Sequence, residues 1–286
     1  RFMLATVAAL GVRIFSNPIA NLVQKILSEK HSAILINLYS YALLSLFCLA
    51  PAISNDWSEY GISYWMYASL AGVLCTLGSV CLIKALQCGE MSVLGPVNSY
   101  KCVVGLILGG MILGEIPSIL ALVGVVLIIF GSWYVFDTVD GGFKPSLLLR
   151  KDIMLRFCAL FFSGCEAVVL KKIILMSSIM ESFILWCFMG LVFSLVLLCC
   201  FRRKFELLKL KEFSLTAIIA LMLGLMQYST NFVFERMNVG LALALFQLST
   251  IVSVVFGYKV FHENDFWKKI LGSVIMIVGS CLILLK

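Results

Sequence analysis

Three ionisable side chains fall near the centres of long apolar runs: Arg13, Lys101 and Glu166. A charge at the middle of a bilayer costs roughly 3 kcal/mol or more unless it is paired or hydrated. Such a trio therefore has two readings. Either the three side chains face a cavity and bind a polar solute, or Glu166 pairs with Arg13 or Lys101 and only locks helices together. Two cations against one anion leave a positive charge after pairing. That suits a solute with a carboxylate, phosphate or sulfonate, and a zwitterion such as an amino acid fits as well. Lys84, Lys171, Lys172 and Arg236 lie nearer the ends of the runs, where their stems can snorkel to water.

Neutral polar residues gather at similar depths: Asn17 and Asn21, Asn98 and Ser99, Gln227, Tyr228 and Asn231, then Gln247, Ser249 and Thr250. Any one of these reads best as an interhelical hydrogen bond, worth about 0.6 kcal/mol on average. Together they point to a polar cavity. The candidate binding set is Arg13, Asn17, Lys101, Glu166, Gln227, Asn231 and Gln247. The Asn17-Pro18 step is expected to interrupt the first helix and free backbone groups for a ligand. Nothing points to catalysis: His31 and His262 are near loops, no Asp falls at a span centre, and no HExxH, GxSxG or phosphate-binding glycine loop is present. We expect neither an enzyme, nor a cofactor, nor a bound metal.

The elements that position these residues are long helices. Apolar residues make up 62% of the 286 and charged residues 13%, against about 45–50% and about 25% in a soluble domain. Lipid can accept that much outward apolar surface and water cannot. Ten runs have spanning length, roughly 2–24, 32–53, 62–86, 91–114, 118–136, 153–175, 178–201, 213–235, 239–261 and 266–285. Pro117 precedes the fifth, where a missing N–H is cheap. The alternation of a barrel strand is absent. The eleven cysteines sit mostly inside these runs, where they read as small packing residues. The net charge of +7 is carried in short connections, which suits orientation and lipid headgroups, not nucleic acid.

The chain repeats itself. Gly109, Glu115, Gly124 and Gly131 recur as Gly257, Glu263, Gly272 and Gly279, all displaced by 148. Phe15, Ser16, Lys25 and Ile26 recur as Phe162, Ser163, Lys172 and Ile173, displaced by 147. The longest connection, Asp137 to Asp152 with Gly141, Gly142 and Pro145, lies between the copies. We divide the chain into a first five-helix repeat at 1–138, a linker at 139–152 and a second repeat at 153–286. An odd number of spans per copy makes the second enter from the opposite face. The predicted fold is an all-α membrane protein of ten transmembrane helices in two inverted five-helix repeats, an architecture in which a binding site at the repeat interface serves alternating access. Gly105, Gly109, Gly110 and Gly114 form a close-packing face. Glu115 and Glu263 sit at helix ends and read as caps or ion-pair partners near the interface.

The run Gly89-Glu90-Met91-Ser92-Val93-Leu94-Gly95-Pro96-Val97, then Leu113-Gly114-Glu115 and the Gly124/Gly131 helix, resembles the drug/metabolite transporter superfamily, specifically its EamA-like members. Asn238-Val239-Gly240 through His262-Glu263 to Gly279 resembles the same module. The resemblance implies transport of a small organic molecule through a central cavity between the first four helices of each half, with the fifth and tenth at the periphery. Small multidrug members carry a proton-coupling glutamate in their first helix. The matching positions here are Asn17 and Gly164, with Glu166 about half a turn away, so the resemblance leaves proton coupling open.

We therefore expect a secondary transporter of an amino-acid-like, anionic or other small metabolite, with an ion channel or a non-transporting scaffold or receptor as alternatives. A channel would pass ions without saturating with organic solute; a scaffold would tolerate neutralising all three mid-span charges. The expected setting is the plasma (inner) membrane, multi-pass. The expected partners are a small-molecule substrate and membrane lipid but no nucleic acid, and the chain is expected to be a monomer or homodimer. Fifteen Lys and Arg flank the connections after the odd-numbered spans, against five on the other side, termini included. The positive-inside rule then places both termini outside the cytoplasm, whereas the resemblance favours termini inside.

Overall fold

The computed structural model describes residues 2–113, 118–139, 142, 144–202 and 205–284. Over these the chain forms α1 (Phe2–Ser28), α2 (Ala33–Phe47), α3 (Leu49–Ser54), α4 (Ile62–Cys88), α5 (Met91–Val97), α6 (Tyr100–Leu113), α7 (Ile119–Phe136), a short 3₁₀ turn (Pro145–Leu149), α8 (Lys151–Met176), α9 (Ile179–Cys200), α10 (Leu210–Arg236), α11 (Val239–Phe246), α12 (Ser249–Phe261) and α13 (Phe266–Leu284). Several helices start where a serine ends the preceding connection. The hydroxyls of Ser32, Ser118 and Ser178 accept from the N–H groups of Leu35, Ala121 and Glu181, satisfying donors that a helix N-terminus leaves open.

Among the described residues, eight helical stretches are long and apolar enough to cross a membrane, α11 and α12 counting together; α2 is apolar but shorter. Large apolar side chains such as Leu4, Phe15, Met66, Val126, Val168 and Leu221 point outward. The protein is an integral multi-pass membrane protein, with lipid solvating those faces. All eleven cysteines are free thiols. Gly114, Glu115 and Pro117 lie outside the described residues, as do the surroundings of Gly105, Gly109 and Gly110, and Arg1, Gly141, Arg203, Lys204 and Lys286.

The most extensive packing joins one half of the chain to the other: α7 on α13, α4 on α8, and α1 on α10. Under the sequence repeat α1 corresponds to α8 and α4 to α10, so the last two pairs are one contact made twice. The α7–α13 crossing is reciprocal. A Cβ on Gly124 would stand 2.5 Å from the Gly279 carbonyl oxygen, and one on Gly279 2.6 Å from that of Gly124. Gly131 and Gly272 meet the same way, at 2.7 and 2.6 Å. Residues 124 and 131 thus face 279 and 272, an antiparallel, isologous contact of the kind a twofold axis generates. Two of the three recurring glycine pairs, Gly124 with Gly272 and Gly131 with Gly279, are those that let these backbones touch.

The sequence places a helix interruption at Asn17-Pro18, and the structure does not: α1 runs unbroken through Pro18. The interruptions fall in the fourth and ninth runs instead. Between α5 and α6, the N–H groups of Asn98, Ser99, Lys101 and Cys102 each bond three residues back, at 3.0–3.1 Å. Between α11 and α12, those of Gln247, Leu248, Thr250 and Ile251 do the same. Pro96 precedes the first break but no proline precedes the second, so proline is not the common cause. Each tight turn frees a carbonyl that an α-helix would have used. Leu243 O is taken by the Gln247 side chain at 3.0 Å, and Leu94 O by Arg156 Nε at 2.8 Å. Across the repeat interface, Asn98 Nδ2 donates to Gln247 Oε1 at 3.1 Å.

One end of the bundle is closed by an ionic network. Glu263 accepts from the N–H groups of Met91 and Ser92, both at 2.8 Å, at the start of α5. Lys25 Nζ donates to Glu263 Oε1 at 3.2 Å and to Gly89 O at 2.6 Å. Lys269, fully buried, pairs with Glu90 at 2.5 Å. Glu263 thus acts as both cap and ion-pair partner.

Candidate solute-binding site

A cavity of ≈ 140 Å³, open to water-sized molecules, lies between the halves. A single water needs only about 10–15 Å³ of such space, so several fit. Its wall comes from α1, α2, α4, the α5–α6 break, α6, α8, α9, α10 and α11; α7 and α13 contribute none of it. On α1 the lining residues are Arg13, Asn17, Asn21 and Gln24, a polar stripe at steps of four, four and three that keeps one helix face turned inward. On α8 they include Arg156, Ser163 and Glu166.

Arg13 reaches across to α10, its Nε donating to Thr230 Oγ1 at 2.9 Å. Its guanidinium lies 4.8 Å from the Phe246 ring centroid, a cation–π distance, and its Nη1 is buried with no hydrogen-bond partner. Lys101 comes from the first turn of α6, just past the break, and its stem passes 3.7 Å from where a Cβ on Gly164 would stand. Glu166 accepts from Trp186 Nε1 at 3.0 Å. Trp186 is steadied by an edge contact with Tyr41 at 4.9 Å, and the Tyr41 hydroxyl meets Cys75 Sγ at 2.8 Å. Among the described residues, no ion pair within 4.0 Å involves Arg13, Lys101, Arg156 or Glu166.

Of the seven residues singled out in the sequence, Arg13, Asn17, Lys101, Glu166 and Gln227 line this cavity. Asn231 and Gln247 are fully buried one layer behind it. Asn231 accepts from Gln227 at 2.8 Å and donates to Ser182 at 3.1 Å; Gln247 holds Asn98. Both orient a lining amide. Tyr228, with the same depth in sequence, turns away and packs on Phe183. Sequence reasoning missed Arg156. It stands three residues into the sixth run as read from hydropathy and so looked like an end residue, but α8 begins at Lys151 and the cavity extends to it.

Fold and cavity together describe a two-repeat membrane protein with a polar site between its halves. The chain belongs to the EamA-like transporter family, whose sequence profile matches it twice, over residues 7–136 and 150–285. Comparison with curated proteins gives no match. Among solved structures, one crystal structure superposes with a TM-score of 0.63 over 95% of this chain and 96% of its own, at 11% identity. That likeness is one of fold.

Proposed function

We propose that the protein is a secondary transporter that carries a small organic solute, amino-acid-like, anionic or another metabolite, across the plasma membrane by alternating access. It works as ten spans in two inverted repeats, divided at residues 139–152, without cofactor and without catalysis. The observation that supports this reading most is a cavity between the halves, large enough for water, onto which Arg13 and Lys101 open with no ion pair within 4.0 Å among the described residues. Leaving such charges unpaired is costly, and an anionic group on a solute removes that cost. Gln227 and Asn17 supply neutral hydrogen bonds beside them, and Glu166, held by Trp186, stands on α8 two residues from where the Lys101 stem crosses it.

Alternating access needs a site that either face can reach. The reciprocal packing of the halves supports this, because a twofold-related pair can exchange conformations without new contacts. Saturable uptake into proteoliposomes, lost in the Arg13→Ala/Lys101→Ala double variant at matched reconstitution, is the expected result. Equal uptake by the variant would defeat the site. Ion flux that does not saturate with solute would make the protein a channel instead.

A further inference from the structure

The cavity holds more positive charge than its own residues neutralise. Arg13, Lys101 and Arg156 open on it, and Glu166 is the single acid among the described lining residues. Passing a proton from Lys101 to Glu166 leaves the sum unchanged, so the excess is two positive charges whether both members of that pair are charged or both are neutral. Neither guanidinium is used up by the protein. Among the described residues, Arg13 makes one hydrogen bond and keeps a buried, unpartnered Nη1. Arg156 makes one among the described residues, through Nε to Leu94 O, a carbonyl freed by the α5–α6 break.

The charges are also spread out. Arg156 and Glu166 are ten residues apart on α8, roughly 15 Å along the helix at 1.5 Å per residue. The Lys101 stem crosses α8 at Gly164, near the Glu166 end. A solute carrying a single negative charge offsets one of the two excess positive charges and leaves the other uncompensated. A zwitterion leaves the excess untouched.

We propose that the transported solute is a doubly charged small anion, and that Arg156 holds the second charge. The inference rests on the solute-carrier reading above and narrows it. A dicarboxylate and a phosphomonoester share this chemistry. Calorimetric titration of the purified full chain at neutral pH with succinate, glycerol phosphate, monomethyl succinate and β-alanine separates the cases. Succinate or glycerol phosphate is expected to bind at least about tenfold tighter than monomethyl succinate, and β-alanine weakest. Whichever dianion binds better identifies the source. Arg156→Gln is expected to lower the dianion affinity and leave that for the monoester within about twofold, and Arg156→Lys to restore much of the ratio.

Equal or tighter binding of the monoester or of β-alanine, still lost in Arg13→Ala/Lys101→Ala, overturns the dianion and leaves the carrier standing. Failure of all four probes to bind, with no saturable uptake of any solute, overturns both. The wild-type series needs no variant to fold, so the preference is read even if Arg156→Gln is unstable.

Discussion

Replacing Glu263 by glutamine tests the ionic closure of one end of the bundle. Both carboxylate oxygens are engaged, Oε1 by Met91 N–H and Lys25, Oε2 by Ser92 N–H. An amide keeps one acceptor oxygen and turns an NH₂ group toward the other N–H, donor against donor. One buried backbone donor is then unsatisfied, at about 1–3 kcal/mol, and Lys25 loses its counter-charge. We expect Glu263→Gln to cost about 2–4 kcal/mol in all, read as a lower unfolding temperature in detergent at a fixed scan rate. The acid limb carries a second signature. Burial opposes ionisation of Glu263, but the bonds from Ser92 and Met91 and the Lys25 charge outweigh it and hold its carboxyl below the usual range. A depressed folded pKa gives stability that is present above the unfolded pKa and lost as pH falls through the folded one. The gap between wild type and variant should therefore close in acid. An unchanged unfolding temperature at neutral pH, or a gap that persists in acid, would refute this account of the closure.

Gly131→Ala places a methyl 2.7 Å from the Gly272 carbonyl oxygen and 3.0 Å from Met276 N, backbone that cannot step aside; a loss of about 1–3 kcal/mol in thermal unfolding is expected. Asn98→Ala strips Gln247 Oε1 of its donor and should cost about 1–3 kcal/mol, whereas Gly164→Ala, with 3.7 Å to the Lys101 stem, should leave unfolding and solute affinity near wild type. Lys204→Cys in a cysteine-depleted background should react with an impermeant maleimide only after the cells are permeabilised, since the charge count puts that connection inside; labelling of intact cells would reverse the orientation.

How legible all this was in the sequence depends on which physics left a local trace. The α7–α13 crossing left a trace, because only glycine permits backbone contact and Gly124 and Gly131 recur as Gly272 and Gly279 at one displacement, although the sequence pattern places the close-packing face at Gly105, Gly109, Gly110 and Gly114. The helix breaks at Asn98 and Gln247 left none, because both lie within apolar runs and neither residue forbids a helix; the side chains that satisfy the freed carbonyls are what stabilise them. Pro18 misled for the opposite reason: its ring costs one backbone bond, which the packing of α1 on α10 absorbs. Arg13, Lys101 and Glu166 stood out because depth can be counted along a run. Arg156 did not, since hydropathy starts its helix too late. That Asn231 and Gln247 stand behind the wall and not in it depends on helix rotation, which apolar runs exposed to lipid on one side and protein on the other record poorly.

The isologous α7–α13 contact is what two identical subunits would make, yet here a single polypeptide supplies both partners. In a pair of separate identical chains, every charge in the shared cavity would be present twice. The repeat counterparts of Arg13, Lys101, Arg156 and Glu166 are Leu160, Ser249, Ala9 and Ile19, so each charge is present once. Covalent linkage lets the two copies keep a common frame while their inward faces part company, and the result is a cavity with a direction: its charges are not repeated across the twofold axis that relates the helices around it.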